Sequence, residues 1–184
     1  TTTGGLIKNG AGVLTLQGAS TYAGATAVNV GVLNVQNAQG TGTVAGGVTV
    51  ANHAALELQG GVTVGAEALT LSGAGVAANG ALRNISGNNT WGGTITLAAN
   101  TEIQSDADTL TLNTVTGATR TLTFDGAGNG LIGGAITTTT GGLIKMILAF
   151  KDMLVSILVK AAGVIGDIIS DPIGFLGNLT DGVM

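Results

Sequence analysis

Apolar and polar residues alternate in short runs through the first three-quarters of the chain. The runs are Leu14-Thr15-Leu16-Gln17, Val28-Asn29-Val30, Leu33-Asn34-Val35, Val48-Thr49-Val50, Leu56-Glu57-Leu58, Val62-Thr63-Val64, Leu69-Thr70-Leu71, Ile95-Thr96-Leu97, Leu110-Thr111-Leu112 and Leu122-Thr123-Phe124. A period of two puts Val and Leu on one face of an extended chain and Thr, Asn or Glu on the other, so each run predicts a half-buried strand. Clusters such as Gly73-Ala74-Gly75 and Asn88-Asn89 lie between them and supply the positive φ that tight turns need. Near Lys145 the period changes. From Met146 to Ser170 the polar positions are Lys151, Asp152, Ser156, Lys160, Gly163, Asp167 and Ser170, which from Asp152 onward are spaced as one stripe of an α-helix. Asp171-Pro172 ends that helix and starts a second, short one with Ile173, Leu176 and Leu179 on its apolar side. The chain reads as two parts, a strand-rich 1–145 and an apolar helical 146–184.

Many short strands suit either a sandwich or a solenoid, and composition separates the two. Sandwich cores are wedged by large aromatic residues, whereas residues 1–145 hold just Tyr22, Trp91 and Phe124 together with 28 of the chain's 33 glycines. Small aliphatic side chains pack well in thin stacked layers. The expected fold is therefore mainly β, a right-handed parallel β-helix whose inward Val, Leu and Ile form continuous ladders, followed by a C-terminal apolar α-helical segment. At roughly 20–25 residues per coil, residues 1–145 make about six or seven turns.

The octamer Thr1-Thr2-Thr3-Gly4-Gly5-Leu6-Ile7-Lys8 recurs unchanged at Thr138-Thr139-Thr140-Gly141-Gly142-Leu143-Ile144-Lys145. Residues 1–137 then read as one copy of a long tandem unit, with 138–145 starting the next. After the first octamer the chain continues Asn9-Gly10-Ala11-Gly12; after the second it passes to Met146. That break is read as a junction where a second polypeptide is fused, with natural recombination as the alternative.

Charge and composition narrow the functional classes. The 184 residues include no cysteine, which removes disulfide-stapled miniproteins and thiolate-bound metal modules. Six Lys and Arg against ten Asp and Glu leave a net charge of −4, so no basic surface is available to neutralise nucleic-acid phosphates. The opening Thr-Thr-Thr-Gly-Gly lacks the charged start and apolar run of a leader, and the chain reads as an internal fragment.

Candidate chemistry is sparse. His53, in Ala51-Asn52-His53-Ala54-Ala55, is the one residue that titrates near neutrality, and its nearest local acid is Glu57; it reads as a surface histidine at a turn. Asp106 and Asp108 place two carboxylates close together, fewer oxygens than a calcium ion takes, and read as a solvated turn that blocks edge pairing. Gly128-Asn129-Gly130-Leu131-Ile132-Gly133 has dinucleotide-binding glycine spacing but not the strand-before, helix-after setting. Asp125-Gly126-Ala127-Gly128-Asn129-Gly130-Leu131 approaches a calcium-binding nonapeptide, with Gly130 where that repeat has aspartate. Tyr22 and Trp91 stand alone, too few for a sugar-stacking platform, and Asn84, Asn88 and Asn178 carry Asn-x-Ser/Thr sequons. No catalytic, cofactor-binding or metal residue is assigned, and the chain is expected to be no enzyme, to need no cofactor, and to bind neither nucleic acid nor a small-molecule substrate.

Residues 4–35 carry a family resemblance. Gly4-Gly5-Leu6-Ile7-Lys8-Asn9-Gly10-Ala11-Gly12 leads to Val13-Leu14-Thr15-Leu16-Gln17, then the turn Ser20-Thr21-Tyr22-Ala23-Gly24, then Gly31-Val32-Leu33-Asn34-Val35. This series resembles the autotransporter-associated β-strand repeat, with a small departure at the turn, where the family has Asn-x-Tyr-x-Gly. The resemblance implies a β-helical passenger shown on a bacterial outer-membrane surface as stalk, adhesin or spacer, with a host or neighbouring cell surface as partner.

The segment 146–184 is similar to helical proteins that accompany extracellular contractile injection systems, through Ala149-Phe150-Lys151-Asp152-Met153-Leu154 and Asp171-Pro172-Ile173-Gly174-Phe175-Leu176-Gly177-Asn178-Leu179. Its four charges from Lys151 to Asp167 interrupt any membrane-spanning run. Equal numbers of acids and lysines on the polar face argue against a surface-lying membrane helix. The favoured reading is a buried helix packed on other helices or on the solenoid's open end, with self-association through 146–184 if it lies free. The expected function is a non-enzymatic structural or adhesive stalk. The alternative is an inert solenoid carrying a membrane-active or secretion-associated helix, which liposome leakage by the 146–184 peptide would separate from it.

Overall fold

The computed structural model describes residues 4–137 and the backbone of Ile144–Met146. The chain divides into two units, Thr1–Leu148 and Ala149–Met184, and the described residues belong to the first. The predicted helices lie outside them from residue 147 on, and Met146, where the first was expected to begin, ends a strand. Among the described residues no helix is long and apolar enough to cross a membrane.

The strands follow one another as the sides of a coil. The first coil holds β1 (Leu6–Lys8) and β2 (Val13–Leu16), and the second β3 (Thr26–Val28) and β4 (Gly31–Val35). A third side enters with the third coil, made of β5 (Val48–Val50), β6 (Ala54–Gln59) and β7 (Thr63–Val64). The fourth has β8 (Leu69–Gly73), β9 (Leu82–Ser86) and β10 (Asn89–Trp91). In the fifth, β11 (Ile95–Ser105) runs unbroken along the first two sides before β12 (Thr109–Leu112). The sixth has β13 (Val115–Thr116), β14 (Leu122–Asp125) and β15 (Asn129–Ile132), and β16 (Ile136–Thr137) and β17 (Ile144–Met146) follow.

All pairings between these strands are parallel and join one coil to the next. On the first side the register runs Leu6, Thr26, Val48, Leu69, Ile95, Val115, Ile136. On the second it runs Leu14, Leu33, Leu56, Leu82, Ile103, Phe124. The protein is thus a parallel β-solenoid of about six turns. The fourth coil is the longest because a loop closed by the Gly75–Gly80 bridge, with a 3₁₀ turn at Val76–Ala78, is inserted between β8 and β9.

Two sides per coil are the minimum that encloses a core, and the alternation fills it. Leu33, Leu56, Leu82 and Ile103 are fully buried, as are Val28, Val50 and Leu71 on the neighbouring ladder. Each inward residue covers the one before it at the spacing of paired strands, about 4.8 Å, so water is excluded along the whole stack. Glycine is required where the second and third sides of the sixth coil approach most closely. A side chain at Gly130 would run into the ring of Phe124, which fills the space that its missing Cβ leaves.

Three particulars differ from the sequence expectation. The predicted strand at Val28-Asn29-Val30 ends at Val28, because the amides of Asn29 and Val30 both turn to donate to the Lys8 carbonyl. β11 spans 11 residues where only short runs were expected. The second octamer does not repeat the first in position: Leu6–Lys8 lies on the first side, paired with β3, while Ile144–Met146 lies on the second side, paired with β14.

Candidate functional site

With no catalytic constellation among the described residues, the site to consider is the outward surface of the stacked strands. Two kinds of ladder occupy it. On the first side, Thr49, Thr70, Thr96, Thr116 and Thr137 are register partners in five successive rungs. On the third side, Thr63, Thr90 and Thr111 do the same. A β-branched residue packs against its like on the neighbouring strand and leaves its hydroxyl to water, which explains threonine at the polar phase of so many runs.

The second side carries a cross-linked polar ladder instead. The Asn34 amide donates to Glu57 Oε2 at 3.0 Å and to Gln59 Oε1 at 3.3 Å. Gln36 donates to Asn34 Oδ1 at 2.9 Å, and Gln17 to Gln36 Oε1 at 3.0 Å. Arg83 pairs with Asp106 at 2.6 Å and with Glu57 at 3.4 Å, and Gln104 donates to Asp106 Oδ1 at 2.7 Å. The hydrogen bond that Arg83 donates to Asp106 is the main reason that its guanidinium holds its proton more tightly than usual. Unlike charges on adjacent rungs lock register from the outside, as aliphatic ladders do from within.

Polar groups also enter the core. Asn84, Asn89 and Ser105 are fully buried. Asn84 donates to Ser105 Oγ at 3.1 Å and to the Ala107 carbonyl at 2.7 Å. Asn89 donates to Asn84 Oδ1 and to the Ser86 carbonyl, and its own oxygen accepts the Val62 amide. Every one of these bonds holds the corner between the second and third sides. A second cluster lies where the third side begins. Thr41 Oγ1 donates to Glu67 Oε2 at 2.5 Å, Thr26 Oγ1 donates to the Thr41 carbonyl at 3.1 Å, and the Tyr22 hydroxyl therefore donates to Thr26 at 2.7 Å. Trp91, fully buried, donates its indole N–H to the Glu67 carbonyl at 2.8 Å. Burial pushes the Glu67 carboxyl up from its usual range despite the Thr41 hydrogen bond, and burial likewise raises the Tyr22 phenol, with the Glu67 charge adding to it.

The sequence candidates fall at separate places. His53 is an exposed corner residue with φ of 64°. Asp106 and Asp108 lie in a bend, with Asp108 exposed, and turn to different partners: Asp106 pairs with Arg83, and Asp108 Oδ2 accepts the Gly87 amide at 2.7 Å. Gly128 sits against Ser105 and Ala107 of the preceding coil and Gly130 against Phe124 of its own coil, so close packing accounts for both glycines. Asp125 Oδ1 accepts the amide of the next residue, Gly126, at 2.7 Å. Of the sequons, Asn84 is buried and Asn88 is exposed, its Oδ1 accepting the Thr109 amide at 3.2 Å; Asn178 lies outside the described residues. Glu67 was not singled out in the sequence, although it is the only charged residue between Glu57 and Arg83.

The geometry defines a class, a parallel β-solenoid of repeated coils with polar outer ladders. Residues 6–35 match the family model described as passenger-associated-transport-repeat. That match, set in a β-solenoid, fits an autotransporter passenger with repeats, and the two together support a structural or surface-stalk role. No curated protein and no solved structure matches the chain significantly.

Proposed function

We propose that residues 1–145 are part of the passenger of a bacterial autotransporter and act without enzymatic activity as a stiff, surface-displayed stalk, with adhesion through its threonine- and asparagine-rich exterior as its finer role. The observation that carries the reading is the seven-rung register of the first side, from Leu6 to Ile136. Each rung is hydrogen-bonded to the next along its strands, so bending would break parallel bonds at several positions together. We take the winding as right-handed, the sense that parallel crossovers overwhelmingly adopt. The partner proposed is a host or neighbouring-cell surface. Residues 146–184 are proposed as a second polypeptide fused at Met146, a reading supported by the octamer's break in continuity.

The test places residues 1–145 between a secretion leader and an autotransporter transport barrel in a Gram-negative host. Display of a protease-accessible passenger on intact cells is the expected result, and retention in the periplasm overturns the reading. Attachment of the displaying cells to glass, to one another or to epithelial monolayers decides between an adhesive and a purely spacing role.

A further inference from the structure

The four-stranded third side is ordered β15, β12, β10, β7, and it stops at β7. The first two coils pass this side as loops, so β7 keeps one edge with no strand beside it. Along that edge runs a cleft of about 460 Å³, lined by Ser20 and Thr21 from the first coil, Gln39 and Val44 from the second, and Thr63 and Glu67 among others from the third. Glu67 is the one charged residue in its lining, and it forms the floor, 1% exposed. Thr41 holds one of its carboxylate oxygens, while Oε1 is buried with no hydrogen-bond partner.

A free strand edge offers backbone donors and acceptors to an extended peptide, and a buried, half-satisfied carboxylate calls for a cation. We propose that this cleft binds a lysine side chain carried on an extended segment of another protein, which adds a strand along the free edge of β7 and brings its ammonium to Glu67. Ala38, Val44 and Val64 line the cleft and suit the four-carbon stem of lysine. The ammonium is compact enough to reach a carboxylate at the base of a narrow cleft, where a guanidinium fork would need room in its plane. A saccharide is disfavoured, since no aromatic ring lines the cleft to offer a stacking face.

The test uses the full chain, isotopically labelled, titrated with a capped five-residue peptide of alternating threonine and valine with lysine at its centre. Saturable amide shifts at Thr63, Val64, Gly65, Thr43 and Val44 are expected. Binding at least tenfold weaker is expected when norleucine replaces the lysine, when the peptide amides facing β7 are N-methylated, and in Glu67→Gln. If Glu67→Gln does not fold, the lysine and norleucine peptides on the unaltered chain decide the matter. Equal binding of those two, no shifts at Thr63–Gly65, or n-butylammonium binding as tightly as the peptide overturns the proposal, the last by making the site one for free amines. None of these outcomes bears on the stalk reading, which rests on the rung register and is tested by display.

Discussion

The first two coils and the last four solve the same problem differently. In both, an aliphatic ladder on two sides excludes water, but from the third coil onward a third strand closes the section, while residues 17–25 and 36–47 pass that side as loops. The cause lies in the residues available. Val62 and Val64, Asn89 and Trp91, and Leu110 and Leu112 are inward pairs two apart, and all six are buried. Gln17-Gly18-Ala19-Ser20-Thr21 and Gln36-Asn37-Ala38-Gln39-Gly40 contain no Val, Leu, Ile or aromatic residue to turn inward. Where no such residue is present the backbone folds into turns, and Val44 on that side stays exposed. A third side therefore depends on its own inward residues and does not follow from the other two.

The largest expected effect breaks that third side directly. Trp91→Ala removes a fully buried ring and the donor to the Glu67 carbonyl, and should cost about 3–5 kcal/mol. Tyr22→Ala, on the looped side of the first coil and only half-buried, should cost clearly less. Urea midpoints of the two variants check the order, and an equal loss would show that the looped coils are packed as tightly as the closed ones.

Next comes the corner. Asn89→Ala strips the Val62 amide of its acceptor at a buried position, which should cost about 1–3 kcal/mol. Asn29→Ala removes an exposed bond to Asn9 in the first coil and should stay within about 0.5 kcal/mol. Thermal midpoints compare them. Glycines sharpen the contrast further: Gly130→Ala drives a methyl into the Phe124 ring and should cost about 1–3 kcal/mol, whereas Gly12→Ala meets nothing within 4 Å and should be close to neutral.

These contrasts show what a sequence can disclose about such a fold. Strands with apolar, polar, apolar order, such as Val48-Thr49-Val50 and Leu69-Thr70-Leu71, lie where alternation puts them because both inward positions are aliphatic. β9 and β10 escape the pattern because Asn84 and Asn89 occupy inward positions, and a buried asparagine is indistinguishable from a turn asparagine until its partners on other coils are known. Glu67 is hidden for the same reason, since Thr41 is 26 residues away and Trp91 is 24. Ladders that repeat at coil spacing are legible in one dimension, while contacts that occur once are not.

The smallest effect concerns the boundary between the two regions, where Glu67 is held by Thr41 of the second coil. Its carboxyl titrates above its usual range because burial disfavours the charge. The folded protein then binds a proton that the unfolded chain has already released, so stability is highest below the ordinary glutamate range and falls as pH rises toward the folded value. The half-exposed Glu102 shifts the same way through burial and the nearby Asp125 charge, and solvent makes its share small. Glu67→Gln keeps an acceptor for Thr41 and removes the charge, so its urea midpoint should equal that of the parent at acid pH and exceed it at neutral pH. A parent whose stability instead rises steadily from acid to neutral pH, with the variant tracking it throughout, would place the Glu67 carboxylate in contact with solvent and the second coil's loop away from it.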